Sequence, residues 1–333
     1  MTPRRRVVGG AALALVLAGP LAAQARSGVH LLVVTGLSGE PRYAKEFGES
    51  AARLVDAART QWGVPDSSII YLGENPESDR RRITGRATVA DLRAGLGRLL
   101  TRSGAGHVVF LALIGHGSGE GPGSRFSLPG PDVTAADLVE LLRPFEGRTV
   151  VVVNTASGSG DFLPLLSAPG RIVITATRSA FERNATTFAG PFTRGLADGE
   201  ADADKDGRVT MLEAFIHARR EVARAYESDG RLLTEHAQLD DDGDKKGSAE
   251  PGSAGDGSLA RQVAFALRPS AASSDPRVAQ LETERRALEA AVADLRRRRV
   301  TLDSVAYERE LERLLLALAE KTREIRALEG KRP

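Results

Sequence analysis

The stretch VVVVNTASGSG, residues 150–160, decides the predicted fold, because four consecutive valines break abruptly into small and hydroxylated residues. β-branched residues without polar alternation are typical of a strand that is buried on both faces of a sheet. The turn that follows places Ser157 and Ser159 just beyond the end of that strand. Open parallel sheets bind their ligands at this position.

Other segments repeat this pattern on both sides of the valine run. Four further apolar runs are predicted as strands, at residues 29–36, 67–73, 107–115 and 170–177. Helical spacing separates them, at residues 43–61, 88–100 and 134–142. Strands that alternate with helices predict an α/β fold with a doubly wound, mostly parallel sheet. RQVAFALR, residues 261–268, alternates polar and apolar residues and is a candidate edge strand.

The first residues are typical of an export signal. Three arginines precede an apolar run, and Ala23-Gln24-Ala25 supplies the small-x-small pattern of a cleavage site. We therefore expect residues 1–25 to be removed and the mature protein to be periplasmic or secreted. A stable membrane anchor is not expected, because glycines and a proline interrupt the run and a span needs about 20 apolar residues.

Composition excludes several classes of function. Without the leader's three arginines, the 333-residue chain keeps 43 basic and 44 acidic residues, so nothing indicates a nucleic-acid partner. The sequence contains no cysteine. Disulfides, a cysteine nucleophile, a thiolate metal site and a lipoprotein anchor are therefore all excluded.

The chain changes character beyond Pro269. Leucines follow at seven-residue spacing and then at helical spacing, a coiled-coil-like pattern. Asp303 or Ser304 is a candidate cap for a second helix. Residues 269–333 are therefore predicted to form an antiparallel helical hairpin that turns near residues 300–304. It is a candidate surface for contact with a partner or for self-association.

A candidate base and a candidate nucleophile follow two of the predicted strands. HVVFLALIG runs into Gly-His-Gly-Ser-Gly, which contains His116 and Gly117, and the valine run leads to Ser157. If the two strands are neighbours, these side chains leave the same edge of the sheet. Backbone N–H groups of the glycine-rich turn are then suited to hold an oxyanion.

Over residues 29–268 the sequence resembles the caspase and legumain clan of cysteine peptidases. That clan pairs a hydrophobic strand ending in His-Gly with a later strand ending in Ala-Cys-x-Ser-Gly, and its histidine and cysteine form the catalytic dyad. By this resemblance His116 matches the catalytic histidine, Gly117 an oxyanion donor and Ser157 the nucleophile position. A caspase-like α/β domain over residues 26–268 is the implied fold.

Serine stands where the clan has cysteine, and this departure leaves two functions open. A thiol already supplies some thiolate at neutral pH, whereas an alcohol needs a base that is oriented by a third group. The first reading is a pseudopeptidase that binds a protein or peptide ligand; the second is a serine-dependent hydrolase with Ser157 as nucleophile and His116 as base. Ser159 is the fallback nucleophile, and Arg178 is a candidate for lining a pocket that takes an acidic group.

ADADKDGRVTMLEAF, residues 201–215, matches the template of an EF-hand calcium loop. Calcium takes oxygen ligands at loop positions one, three, five, seven, nine and twelve, with glycine at six. Those positions are filled by Asp202, Asp204, Asp206, the Arg208 carbonyl, Thr210 and Glu213, and Gly207 occupies position six. Thr210 and Glu213 also form a capping box for a following helix. The sequence thus predicts bound Ca²⁺ in the segment 202–213.

A second acidic run, LDDDGDKKGS, offers Asp240, Asp242 and Asp244 at alternate positions. Lys245 stands where the loop template has glycine, and Pro251 stands where it has the bidentate acid. Two readings stay open for this run, a looser calcium site and a solvated loop.

Overall fold

The computed structural model describes residues 28–252, 255–267, 276–297 and 303–329. The expected export signal, residues 1–25, and the expected turn of the hairpin lie outside the described residues, except for Asp303 and Ser304. Within the described part of the chain, no helix is both long and apolar enough to cross a membrane.

Twelve strands form the sheets of the described chain. They are β1 Val29–Thr35, β2 Ile69–Gly73, β3 Gly85–Arg86, β4 Val108–Ile114, β5 Gly117–Ser118, β6 Arg125–Phe126, β7 Val133–Thr134, β8 Thr149–Asn154, β9 Arg171–Thr175, β10 Arg208–Thr210, β11 Gln238–Asp240 and β12 Ala264–Ala266. Seven of them make the central sheet, in the order β11-β9-β8-β4-β1-β2-β3. All neighbours in it are parallel except β11, which pairs antiparallel with β9 at the edge.

Eight α-helices accompany these strands. They are α1 Pro41–Thr60, α2 Val89–Arg102, α3 Ala135–Leu142, α4 Leu163–Leu166, α5 Ala189–Asp198, α6 Met211–Ser228, α7 Pro276–Arg297 and α8 Ser304–Glu329. The mixed α/β architecture with a mostly parallel sheet is thereby confirmed.

The central sheet is covered on both faces because its side chains alternate. Leu31 and Val33 of β1 point into one apolar core, which they share with α1, α5 and α6. Leu32 and Val34 point into the other core, with α2, α3 and α4. Successive side chains of a strand leave opposite faces, so a strand between two helical layers must be apolar at every position. This requirement explains the uninterrupted valines of β8.

The predicted edge strand near residue 265 pairs elsewhere. β12 forms a separate two-stranded antiparallel sheet with β10, in which Val209 lies opposite Phe265. The edge of the central sheet is instead β11, whose three residues gave no strand pattern. Phe265 is buried against Trp62, at 4.4 Å between ring centroids, so core packing governs this alternating segment.

The last two helices pack against each other in antiparallel fashion. Val278 and Leu281, at the start of α7, share a small apolar cluster with Ile325 near the end of α8. Leu295, at the other end of α7, packs with Leu314 of α8. Two antiparallel helices are therefore present at the C-terminal end of the described chain, and most of the turn predicted between them lies outside the described residues.

Candidate functional site

The carboxyl edge of the central sheet brings the candidate dyad onto neighbouring strands. β4 and β8 pair directly, with Leu113 opposite Asn154, so the turns that follow them lie side by side. The chain runs outward from β1 to β2 and β3, and then returns to β4 on the other side of β1. Ligands of open α/β sheets bind beyond the strand ends at such a reversal, here between β1 and β4.

The His116 ring faces the turn after β1 and the first helix. Its centroid lies 4.6 Å from that of Tyr43 and 5.1 Å from that of Phe47, both in edge-to-face geometry. Burial lowers the pKa of His116 below its usual value, although a hydrogen bond to the Ser38 backbone opposes that effect. The ring is therefore neutral at neutral pH. Among the described residues, no carboxylate hydrogen-bonds to this ring or lies within ion-pair distance of it.

The Ser157 hydroxyl is bonded to the turn after β4. The residue is 4% exposed, and its Oγ accepts a hydrogen bond from the Gly117 N–H at 3.3 Å. The same Oγ donates to the Gly117 carbonyl oxygen at 3.2 Å. No hydrogen bond between Ser157 and the His116 ring occurs in the described chain. Ser157 is thus held by backbone groups rather than by a base.

Gly117 must be glycine for this contact to form. A Cβ at that position would lie 2.8 Å from the Ser157 carbonyl oxygen and 2.9 Å from that of Arg125. Such distances are shorter than side chains tolerate. The missing side chain lets the turns after β4 and β8 touch through their backbones.

Ser159, the fallback nucleophile, is an interior residue. It is fully buried, and its Oγ lies 3.2 Å from the Thr177 hydroxyl. Asp161, two residues later, accepts from the Gly121 N–H at 2.8 Å and from the Ala180 N–H at 3.0 Å. These bonds tie together the loops that follow β4, β8 and β9. Ser159 therefore positions the loop and is not accessible to a substrate.

A carboxylate–histidine pair that was not anticipated lies beside this turn. His236 Nδ1 is 2.6 Å from a carboxylate oxygen of Glu182, and the Glu182 carbonyl oxygen accepts from the Gly158 N–H at 2.9 Å. Arg178 is at the same edge, largely exposed, with its guanidinium 3.9 Å from Glu182. The pair joins residues 54 positions apart, and neither one lies in a local pattern that indicates its partner.

The calcium-loop residues form a compact cluster between two helices. The loop joins α5 to α6, and carboxylate oxygens of Asp202, Asp204 and Asp206 lie within 4.8 Å of one another. Hard oxygen donors at this spacing are what calcium requires. Burial first, and then the neighbouring Asp204 charge, raise the pKa of Asp206, while a hydrogen bond from the Arg208 N–H opposes the change. These residues therefore fit a divalent cation.

The remaining loop positions also agree with the template. Gly207 has φ of 82°, the left-handed conformation that the sixth position needs. Thr210 and Glu213 form the capping box of α6, with the Thr210 N–H donating to Glu213 at 2.9 Å. The other Glu213 oxygen accepts from the Ala203 N–H at 3.3 Å, so this carboxylate already reaches the start of the loop.

The second acidic run also clusters its carboxylates. Oxygens of Asp240, Asp242 and Asp244 lie within 4.8 Å of one another at the end of the edge strand β11. Asp240 is fully buried, whereas Asp242 and Asp244 are exposed.

Comparison with known proteins adds a distant structural likeness. None of the known family models matches the sequence, and no curated protein matches it either. The protein is similar to the crystal structure of protein GSU0716 from Geobacter sulfurreducens, at 13% sequence identity and a TM-score of 0.41. The match covers 63% of this chain and 92% of that one. A likeness of this degree carries no argument about function, which has to be argued from the site.

Proposed function

We propose that this chain is an exported, calcium-binding relative of the caspase and legumain clan that has lost its catalytic chemistry. In this proposal residues 26–268 form the clan's α/β domain, and its carboxyl edge binds a protein or peptide ligand without cleaving it. The observation that carries the proposal is the environment of Ser157, whose hydroxyl is buried and bonded to the Gly117 backbone.

The state of Ser157 opposes its action as a nucleophile. A serine alcohol becomes reactive when a base accepts its proton while a third group orients that base. Here the Oγ donates its proton to the Gly117 carbonyl oxygen at 3.2 Å, so a backbone acceptor occupies the place of the base. The Gly117 N–H, the expected oxyanion donor, is at the same time bonded to the Oγ.

The state of His116 supports the same conclusion. Tyr43 and Phe47 enclose one side of the ring, and burial keeps the ring neutral. Glu40 and Glu46 favour its protonated form only through space. The neutral ring is the form that a general base needs, but without an orienting carboxylate it activates only weakly an alcohol whose ordinary pKa is far above that of a thiol.

Calcium has a structural role in this proposal. The loop of residues 202–213 joins α5 and α6, and its β10 strand pairs with β12. An ion bound there would hold α5 and α6 against the central sheet. Because calcium is abundant outside the cytoplasm, an exported protein can use even a weak site of this kind.

The C-terminal hairpin offers a surface for a partner. Leu315 and Leu316 of α8 are 41% and 60% exposed, although the inner face of the same helix packs on α7. Leu315 also borders a shallow groove of about 430 Å³ together with Leu318. Leu315 and Leu318 are three residues apart and so lie on one face of α8, and apolar residues exposed on a helix face are typical of an interaction surface. Contact with a protein partner or a second copy is the role proposed for it.

A fluorophosphonate probe tests the loss of chemistry. Purified wild-type protein should remain unlabelled and should cleave neither a peptide library nor a p-nitrophenyl ester. Ser157→Ala and Ser118→Ala serve as matched variants, because Ser118 is an exposed serine in the adjacent turn. Labelling of the wild type and of Ser118→Ala, but not of Ser157→Ala, would establish the alternative function, a serine-dependent hydrolase that uses Ser157 and His116.

A further inference from the structure

The acidic loop that ends β11 contains a carboxylate oxygen with no partner. Asp240 is fully buried, and its Oδ2 has no hydrogen-bond partner, whereas its Oδ1 accepts from the Gly243 N–H at 3.2 Å. A buried carboxylate oxygen without a donor or a cation is strongly destabilising. Burial raises the pKa of Asp240, although the nearby Ser167 hydroxyl and the Gly243 N–H oppose that effect.

The neighbouring Asp241 shows what a purely structural carboxylate looks like in the same loop. It is also buried, but both of its oxygens are satisfied, by the Gly257 N–H at 2.8 Å and the Ala260 N–H at 2.7 Å. Asp241 thereby attaches β11 to the segment 255–260. Asp240 is equally buried, yet one of its oxygens lacks such a donor.

The unpartnered side chain belongs to a group of converging carboxylates. Asp240 shares with Asp242 and Asp244 a space in which one carboxylate oxygen from each lies within 4.8 Å of the others. The Lys246 ammonium offsets little of this negative charge, since it lies 3.8 Å from Asp244 and is largely exposed. Three carboxylates held this close repel one another unless a cation lies between them.

A fourth carboxylate approaches from another part of the chain. Burial first, and then the charges of Asp242, Asp240 and Asp241, raise the pKa of Asp256 to about 6. The Asp242 carboxylate lies 4.0 Å from the place of a Cβ on Gly255, and the Asp256 carboxylate accepts from the Asp241 N–H at 3.0 Å, so the segment that bears Asp256 lies beside the cluster. This segment supplies an acid close to the site, although Pro251 occupies the loop's twelfth position.

The backbone of this loop repeats that of the first calcium loop. In the first, positions four and six are Lys205 and Gly207, with φ of 56° and 82°. In the second, they are Gly243 and Lys245, with φ of 84° and 70°. The lysine at position six therefore adopts the left-handed conformation for which the template uses glycine, so Lys245 is no obstacle to this site.

We propose that Asp240, Asp242 and Asp244 bind a second calcium ion, with the missing partner of Asp240 Oδ2 supplied by the metal. The ion would hold the antiparallel edge strand β11 against the segment 255–260. This site is separate from the loop of residues 202–213. The proposal for it does not depend on the proposed relation to the peptidase clan.

Calcium titration of the full-length, chelator-treated protein tests the proposal by calorimetry. The wild type should bind two ions, and the double variant Asp242→Asn with Asp244→Asn should bind one. Both side chains are exposed, so these substitutions spare the core and leave Asp241 in place. Asp202→Asn with Asp206→Asn should also bind one ion, and the fourfold variant none. Glu227→Gln with Asp229→Asn, which removes two exposed charges at the end of α6, should still bind two.

The stoichiometries separate the two sites. One ion in the wild type, retained unchanged in the Asp242/Asp244 variant, would overturn the second site and leave the first intact. One ion that is lost only in the Asp242/Asp244 variant would support the second site and remove the first. Lys245→Gly gives an independent readout, because it removes both a lysine in the left-handed conformation and that lysine's positive charge. The calcium affinity of the second site should therefore rise several-fold. A solvated loop would leave calcium affinity unchanged in that variant.

Discussion

The Ser157 hydroxyl lies 3.3 Å from the Gly117 backbone nitrogen and 3.2 Å from the Gly117 carbonyl oxygen. A single hydroxyl thus bridges both backbone groups of the residue that follows His116. The bridge links the turn after β8 to the turn after β4, and it uses the donor that an oxyanion would require. At this edge of the sheet, Ser157 acts as a connector between loops.

Replacement of Ser157 by cysteine tests whether this position can activate a thiol. The sequence has no cysteine, so Ser157→Cys creates the sole thiol of the chain. A thiol that is buried and lacks an imidazolium partner keeps a pKa at or above about 8.5. The rate of alkylation by iodoacetamide is therefore expected to rise with a midpoint above about pH 8.5.

Two references accompany that measurement. The same variant unfolded in urea reports the unperturbed thiol, and Ser118→Cys reports an exposed thiol in the neighbouring turn. An alkylation midpoint below about pH 7 at residue 157 would reveal a thiolate–imidazolium pair with His116 and contradict the proposed loss of chemistry.

The first calcium loop should contribute measurably to stability. In the background Asp242→Asn with Asp244→Asn, calcium at a hundredfold excess over its dissociation constant should stabilise the fold by about 2.7 kcal/mol. For a domain of this size, that corresponds to a rise in melting temperature of roughly 5 to 10 °C. Adding Asp202→Ala with Asp206→Ala should abolish the rise. An unchanged melting temperature in the parent background would speak against bound calcium.

Gly160 is expected to tolerate no side chain. A methyl group there would overlap the backbone of Arg178 and Ser179, which cannot move away as a flexible side chain can. Gly160→Ala should therefore lower the free energy of unfolding by about 2 to 3 kcal/mol or more. Gly97→Ala, on the exposed face of α2 with no atom near the new methyl, should raise it by up to about 1 kcal/mol. If urea denaturation gave the same change in the free energy of unfolding for both variants, the contact between Gly160 and the backbone of Arg178 and Ser179 would be loose.

His30 is expected to weaken the fold in acid. Its Nε2 lies 3.0 Å from Nδ1 of His107, and its own Nδ1 is buried without a partner. Burial, followed by the charge of His107, lowers the pKa of His30 in the folded state. The unfolded chain then binds more protons near pH 6.5, so stability is present above that pH and falls as the pH drops through it.

Urea denaturation at pH 7.5 and 5.5 in calcium-free buffer measures this loss. His30→Gln removes the titrating group, and it should show a smaller decrease in the free energy of unfolding than the wild type. The same decrease in both proteins would assign the acid sensitivity to other groups.

Local residue patterns were sufficient to predict the parallel sheet and the hairpin. Each inner strand lies between two apolar layers, so apolar residues occupy nearly every position, and this pattern is visible in the sequence alone. The short strand β11 escaped prediction because it has three residues and includes a buried aspartate. β12 had the pattern of a strand, but it pairs with β10 outside the central sheet, with Phe265 packed against Trp62.

The candidate residues divide in the same way. The proposed calcium ligands of the first loop lie within one short segment, so their spacing could be recognised in the sequence alone. The strands that precede His116 and Ser157 are neighbours, so the turns that contain these residues share one edge of the sheet, which was the condition of their predicted proximity. Their separate hydrogen-bonding partners, Gly117 and Ser38, were beyond prediction. No local sequence pattern predicted the Glu182–His236 pair.

By itself, the sequence determined which segments are the inner strands of the parallel sheet, which residues repeat a calcium-loop spacing, and that no thiol is present. Only the tertiary structure decided where the Ser157 hydroxyl is bonded and that Asp240 Oδ2 lacks a partner. The physical reason is the separation along the chain of the groups that determine each feature. Periodicity and loop spacing depend on residues that are close in sequence. Burial and the partner of a polar atom depend instead on groups that only folding brings together.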